Sequence, residues 1–119
     1  MKQIRFVGSS RSDLRDLPKE VRFEIGFALT QAANGEKSVS AKPMKGFKGA
    51  SVIEIVSDYD GNTYRVVYTT QLPEAVYVLH SFQKKSKTGI GTPRKDIELI
   101  KSRLLTARKH SAEAGSGAQ

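Results

Sequence analysis

Hydrophobic residues recur along the chain with two spacings, one typical of strands and the other typical of helices. Near the N-terminus, Ile4 and Phe6 alternate with other residues, which predicts a short first strand. The serine-rich segment 9–12 offers caps for a short helical turn. From Val21 to Ala32, apolar residues fall at i, i+4, i+7, i+8 and i+11, which is the spacing of one helical face. We therefore expect a strand followed by two helices.

Three strand-like runs rich in β-branched and aromatic residues follow, at 52–56, 63–70 and 75–82. The dipeptide Asp-Gly at 60–61 is typical of a tight hairpin between the first two runs, and turn residues also separate the second run from the third. Such short links favour antiparallel neighbours, so the pattern predicts a meander. A second apolar stripe predicts a C-terminal helix over 92–107.

Together these elements predict an α+β domain. It would have an N-terminal strand and helices, an antiparallel sheet with helices on one face, and a C-terminal helix. The 119 residues of the chain match the size of one domain, which we place at 1–110, followed by a disordered tail at 111–119. Because the helices would cover only one face, we expect the opposite face of the sheet to be open.

The composition excludes several classes of protein. The chain has no cysteine, so a disulfide framework, a thiolate zinc site and a cysteine nucleophile are ruled out. Its unbroken apolar runs are short, so we expect no membrane span, and the N-terminus lacks the apolar stretch of a secretory signal. We therefore expect a cytoplasmic protein without a metal site or a cofactor.

Positive charge is concentrated in two parts of the chain. The formal charge is +8, and nine basic against two acidic residues in the segment 84–109 give +7 of it. Lysines at 37, 42, 45 and 48 form a second cluster with no acidic residue between them. Solvated surfaces usually mix both signs, so this pattern favours a phosphate-rich partner over plain solubilising charge. The candidate RNA-binding residues are Lys45, Lys48, Lys87, Arg94 and Lys95.

One arginine stands inside a run that otherwise reads as a central strand. Strand alternation places Arg65 on the face opposite to Tyr64 and Tyr68. An arginine in such a strand cannot be buried without a partner. Either it pairs with Glu54 on the adjacent strand, or its face of the sheet is open.

Six short motifs follow one another along the chain in a recognisable order. They are Leu17–Pro18, Ala41–Gly46, Glu54–Ile55, Tyr64–Tyr68, Tyr77–Ser86 and Thr92–Pro93. Together they resemble the RelE/HigB superfamily of bacterial toxins, most closely its phage-derived HigB-like branch. The resemblance covers about residues 3–108.

This resemblance implies an endoribonuclease that cuts mRNA on the translating ribosome. It also implies a partner antitoxin that holds the toxin inactive and that often has a helix-turn-helix fold. Carried over by position, Arg65 matches the arginine that contacts the scissile phosphate, and Lys84 and Lys85 match the basic pair that closes the last strand.

The chain departs from RelE at positions that matter for the chemistry. Glu54 and Val56 stand where the preceding strand of RelE supplies two lysines, and no tyrosine follows Tyr77. Some branches use a glutamate as base and a histidine as acid, and Glu54 with His80 is a candidate pair of that kind. Alternation, however, places His80 on the same face as Val76, Val78 and Phe82, which would make it a core histidine.

RNA hydrolysis without a metal needs a base for the 2′-hydroxyl, an acid for the leaving oxygen and cations around the transition state. Our hypothesis is that Arg65 binds the scissile phosphate, while Lys84 and Lys85 stabilise developing charge and one of them acts as the acid. Glu54 is then the base, or it orients Arg65. The alternatives are a ParE-like toxin that targets DNA gyrase and a basic nucleic-acid-binding module without catalysis.

Overall fold

The computed structural model describes residues 1–47, 51–84 and 92–117 and confirms an α+β fold. The predicted strands, helices and their order are present, and a short further strand, β2, lies between the second helix and the first strand of the meander, where the sequence pattern predicts no regular element. The elements are β1 (Gln3–Phe6), α1 (Ser10–Arg15), α2 (Lys19–Ala33), β2 (Ala41–Pro43), β3 (Val52–Tyr59), β4 (Asn62–Thr69), β5 (Ala75–Lys84) and α3 (Arg94–Gly117).

The five strands form one mixed sheet in the order β1-β5-β4-β3-β2. Strands β2 to β5 pair with antiparallel neighbours, which confirms the meander, but β1 lies parallel to β5, so the sheet is not purely antiparallel. The β3–β4 hairpin turns through Asp60 and Gly61, whose φ angles are 51° and 78°. Positive φ at both positions is the geometry that the Asp-Gly pair predicts.

Helices cover both faces of the sheet, so the prediction of helices on one face is wrong. On one side, α2 buries Val21 and Ile25 against Val66 and the residues around it. On the other side, α3 buries Ile100 and Leu104 in a second core. The physical reason lies in β5, where every residue from Ala75 to Ser81 is buried, and a strand that is apolar toward both faces needs cover on both.

A β-bulge in β5 changes which residues face α3. Val67 pairs with His80 and Tyr68 pairs with Val78, so Leu79 has no partner of its own on β4. From His80 onward, each side chain of β5 therefore lies on the face opposite to the one that simple alternation from Val78 would give it. His80 therefore lies on the face opposite to Val78, and the alternation that grouped the two is wrong.

Helix α3 continues well past the end that the sequence predicts. It runs to Gly117, so a disordered tail from residue 111 is wrong for the described part of that segment. Ser111 Oγ donates a hydrogen bond to Glu74 Oε2 at 2.6 Å, and Tyr77 Oη lies 3.0 Å from His110 Nδ1. These contacts hold the second half of the helix on the strand β5 and its preceding turn. Across the described residues, none of the helices has the length and apolar character to cross a bilayer.

Candidate functional site

A pocket of about 600 Å³ opens on the α3 side of the sheet. Helix α3 packs against β5 and leaves the part of this face above β3 and β4 accessible. Among the described residues, the lining combines an apolar wall, to which Met44 and Ile97 contribute, with five cations and one carboxylate. The charged side chains are Lys42, Lys45, Arg65, Lys84, Lys101 and Glu54.

Glu54 and Arg65 form the charged floor of the pocket. Arg65 Nη1 donates to Glu54 Oε2 at 2.7 Å, and Lys42 Nζ lies 3.6 Å from Glu54 Oε1. The Glu54 and Arg65 side chains are 7% and 12% exposed. Lys42 stands directly opposite Glu54 in the register, while Arg65 stands opposite Val56, one diagonal step away. Of the two alternatives for Arg65, the pairing with Glu54 is therefore present.

The guanidinium of Arg65 is only partly satisfied by this pairing. Its Nε atom is buried and, within the described ranges, has no hydrogen-bond partner. One edge of the guanidinium thus serves Glu54, and donors remain for a further acceptor. A phosphate oxygen is the acceptor that matches this planar fork.

The bulge in β5 delivers Lys84 to the same pocket. Lys84 pairs with Thr63 in the register and therefore shares a face with Arg65. Without the extra residue at Leu79, Lys84 would lie on the α2 side of the sheet. The sequence analysis expects Lys84 beside Arg65, and both line the pocket. Alternation along β4 also correctly separates Arg65 from Tyr64.

The other predicted cations divide into three groups. Lys45 lines the pocket, and its assignment as an RNA-binding residue stays a prediction. Arg94 and Lys95 lie in the first turn of α3 and are exposed, and Arg94 Nε pairs with Glu98 Oε1 at 3.9 Å. Neither of them lines the pocket. The remaining predicted residues, Lys48, Lys85 and Lys87, lie outside the described residues.

His80 is close to the pocket in the sheet but does not line it. Its Nε2 lies 2.8 Å from Asp96 Oδ1 of α3, and its ring stacks on Phe82 at a centroid distance of 4.5 Å. His80 is 7% exposed, and its Nδ1 is buried without a partner among the described residues. The structure therefore brings His80 together with Asp96 and not with Glu54, and its contacts attach α3 to the sheet.

Two cations of the pocket, Lys42 and Lys101, were counted in the basic clusters but not assigned to a site. Lys42 stands opposite Glu54, and its pairing could be foreseen only with the short strand β2 in place. Lys101 follows Ile97 by four residues on α3, which puts both on one side of the helix. That spacing is visible in the sequence, but the face that meets the pocket is decided by how α3 docks.

The strand tyrosines belong to the core. Tyr64, Tyr68 and Tyr77 are all buried, which excludes them as stacking platforms for bases. Burial raises the pKa of Tyr68 above its usual 10.0. Burial, together with the nearby Glu74 carboxylate, also raises the pKa of Tyr77.

Comparisons with known proteins identify the family and the fold. The model of the family described as phage-derived protein Gp49-like matches residues 12–105. The E. coli toxin RelE, solved as a mutant in the free state, is 15% identical, with a TM-score of 0.56 over 89% of this chain and 96% of that one. The toxin–antitoxin complex RelBE2 from Mycobacterium tuberculosis gives 20% identity and a TM-score of 0.48, over 70% of this chain and 98% of that one. No curated protein matches the sequence. The resemblance drawn from the sequence is confirmed for the phage-derived family and the RelE fold, and the HigB-like branch stays a prediction.

Proposed function

Since the chain belongs to the Gp49-like family of phage-derived proteins, we propose that it is the toxin of a type II toxin–antitoxin system. Its activity is the endonucleolytic cleavage of mRNA on the ribosome, which stops translation. The fold shared with the E. coli toxin RelE supports this proposal. The observation that carries it is the cation-lined pocket built around Arg65 and Glu54.

The pocket suits a phosphodiester because its lining, within the part of the chain that the structure describes, has five cations and one carboxylate. In the transition state of RNA cleavage, negative charge grows on the non-bridging oxygens, and cations that are already in place stabilise it. Arg65 is fixed by Glu54 before substrate arrives, so little reorganisation is needed when the phosphate binds. A pocket that served only for solubility would have no reason to bury an arginine.

In the proposed reaction, Arg65 turns its remaining donors to the scissile phosphate. Glu54 accepts the proton of the 2′-hydroxyl, and the 2′-oxygen attacks phosphorus. The bond to the 5′-oxygen breaks, and that oxygen takes a proton from Lys84 or from its chain neighbour Lys85. The products are a 2′,3′-cyclic phosphate and a 5′-hydroxyl end, and the steps use side chains alone, without a metal ion or a cofactor.

The proposed partners follow from this activity. A ribosome-dependent nuclease acts in the cytoplasm, where it meets mRNA during translation. A host survives such an enzyme only with an inhibitor, so we expect an antitoxin, of the helix-turn-helix type, encoded next to the toxin. The antitoxin has to keep RNA away from the pocket or hold the toxin off the ribosome.

The test is induced expression in bacteria, with mapping of the 5′ ends of mRNA. The wild-type chain should arrest growth and create new 5′ ends inside coding regions. Arg65→Lys retains the charge but lacks the planar fork, so it should cleave far less, while Arg11→Ala removes an exposed cation of α1 and should cleave normally. Arrest with intact mRNA and stalled gyrase would overturn the proposal in favour of a ParE-like toxin. Salt-sensitive RNA binding without arrest would overturn it in favour of a non-catalytic binding module.

A further inference from the structure

Resting on the proposed function, we propose that Lys101 of α3 is a phosphate-binding residue of the pocket, so that helix and sheet together grip single-stranded RNA. Arg65 and Lys84 line the pocket from the sheet, and Lys101 lines it from the helix. At about 600 Å³, the pocket is within the range of about 300–1,000 Å³ typical of sites for ligands larger than one phosphate. Lys101 would hold a phosphate next to the scissile one.

The placement of Lys101 follows from the helical repeat. Ile97 and Lys101 lie four residues apart, one above the other on the same side of α3, and both line the pocket. Ile97 is half-buried and packs against the second core, which fixes this side of the helix toward the sheet. Lys101 is exposed, so its ammonium group stands at the rim, where the backbone of a bound strand would pass.

Two polar contacts hold α3 in place, one before Lys101 in the helix and one after it. His80 Nε2 lies 2.8 Å from Asp96 Oδ1, before Lys101 in the helix. After it, Arg103 Nη1 donates to the Leu79 carbonyl oxygen at 2.9 Å. On β5, these contacts are made by Leu79, which is the bulge residue, and by His80, which follows it. The irregularity that brings Lys84 to the pocket thus also positions the helix that carries Lys101.

Lys101 also differs from the other exposed cations of α3. Arg94 pairs with Glu98, and neither Lys95 nor Lys109 lines the pocket. Among the described residues, no carboxylate lies within ion-pair distance of Lys101. Its charge is therefore available to a ligand, whereas the ammonium of Lys109 contributes only at long range.

The first experiment measures RNA binding as a function of salt for the full chain. The probe is a single-stranded oligoribonucleotide with 2′-O-methyl groups, which cannot be cut by attack of the 2′-oxygen. For a single strand, each lost phosphate contact lowers the magnitude of the negative slope of log K against log salt by about 0.7. Lys101→Ala should show this decrease and weaker binding, and Lys101→Arg should restore both. Lys109→Ala, which removes the same charge from the same helix, should leave the slope unchanged.

The outcomes separate this inference from the proposed function. If the wild type binds and cleaves RNA but Lys101→Ala behaves like Lys109→Ala, the role of Lys101 is overturned and the proposed function stands. If the wild type neither binds nor cleaves RNA, both fall. Both substitutions are at exposed positions of a helix, so a folding defect does not confuse the result.

A second experiment tests Asp96 as a positioning residue. The two explanations of its effect predict opposite changes in RNA affinity. Asp96→Ala removes a negative charge, so long-range electrostatics predicts tighter RNA binding. If Asp96 instead positions Lys101 through His80, Asp96→Ala should weaken binding and lower the salt slope. In Asp96→Asn, the amide oxygen can still accept the hydrogen bond from His80, so this variant should keep the RNA affinity and the salt slope of wild type. Glu98→Ala removes a charge from the same turn without touching the anchor, and tighter binding by both alanine variants would overturn the positioning role.

Discussion

The buried ion pair of Glu54 and Arg65 offers a direct measure of how strongly the pocket floor is held. Glu54 Oε2 and Arg65 Nη1 lie 2.7 Å apart, and the two side chains are 7% and 12% exposed. At an effective dielectric constant of about 20, unit charges at that separation attract by about 6 kcal/mol before desolvation is subtracted. Removing Arg65 leaves the buried Glu54 carboxylate with only the exposed ammonium of Lys42 beside it. The loss of one partner of a buried pair costs about 3–5 kcal/mol.

We therefore expect Arg65→Ala to lower the free energy of unfolding by about 3–5 kcal/mol. Lys42 is the matched control, because it contacts the same carboxylate at 3.6 Å with a side chain that is 61% exposed. An exposed ion pair contributes about 0–1 kcal/mol, so Lys42→Ala should change the free energy of unfolding by no more than that. The double change Arg65→Met with Glu54→Leu should recover most of the loss, since no buried charge then lacks a partner.

The assay is urea unfolding at neutral pH, followed by far-ultraviolet circular dichroism. Wild type, Arg65→Ala, Glu54→Ala and the double alanine variant form a double-mutant cycle, in which the coupling energy isolates the pair. The reasoning is refuted if Arg65→Ala costs no more than Lys42→Ala, or if the coupling energy is close to zero. Either result would mean that water reaches the pair despite its burial.

Three further predictions concern the core and the anchors of α3. Burial raises the pKa of Tyr68 in the folded state above 10.0, so the unfolded chain loses that proton first and stability should fall above about pH 10. The check is the denaturant midpoint of unfolding, measured below and above that pH. The midpoint of Tyr68→Phe should fall less at the higher pH than the midpoint of wild type does, and an equal fall would contradict this. Ile100 is 0% exposed, so Ile100→Ala should lower the free energy of unfolding, measured by chemical denaturation, by about 2–5 kcal/mol. Leu105 is 63% exposed, so Leu105→Ala should lower it by about 0.5 kcal/mol or less. Equal losses would show that α3 does not pack as described. Gly8→Ala should lower Tm by several degrees, because Gly8 has a φ of +59° and an added Cβ would lie 2.8 Å from Arg103 Nε; an unchanged Tm would place the Arg103 side chain elsewhere.

Local pattern was sufficient for much of the fold. The apolar spacing from Val21 to Ala32 corresponds to the buried face of α2, and the Asp-Gly pair forms the tight turn of the β3–β4 hairpin. Alternation in β4 also placed Arg65 opposite Tyr64 and offered Glu54 as its partner. These features depend on residues that are neighbours in the chain or on adjacent strands joined by a short turn, so their physical causes lie within a short window of sequence.

The coverage of the second sheet face was decided by tertiary structure, although one signal for it was present. The run Ala75–Ser81 in β5 is apolar at nearly every position, which indicates a strand buried on both faces. The stripe with Ile100 and Leu104 could have been assigned to either face by its spacing alone. Which side it covers depends on the total area that the docked helix buries.

The sequence by itself determined which residue types could form a phosphate site and which strand would present Arg65. Only the tertiary structure decided that Lys101 joins it, how Lys84, which the resemblance places at the site, reaches the same face as Arg65, and that His80 binds Asp96 instead. All three outcomes depend on the bulge at Leu79 and on the docking of α3 against it. The bulge leaves no mark in the hydrophobic pattern of β5, because the residues that lead into it, Ala75–Leu79, are apolar toward both faces of the sheet. Its contact with Arg103 joins residues that are far apart in the chain.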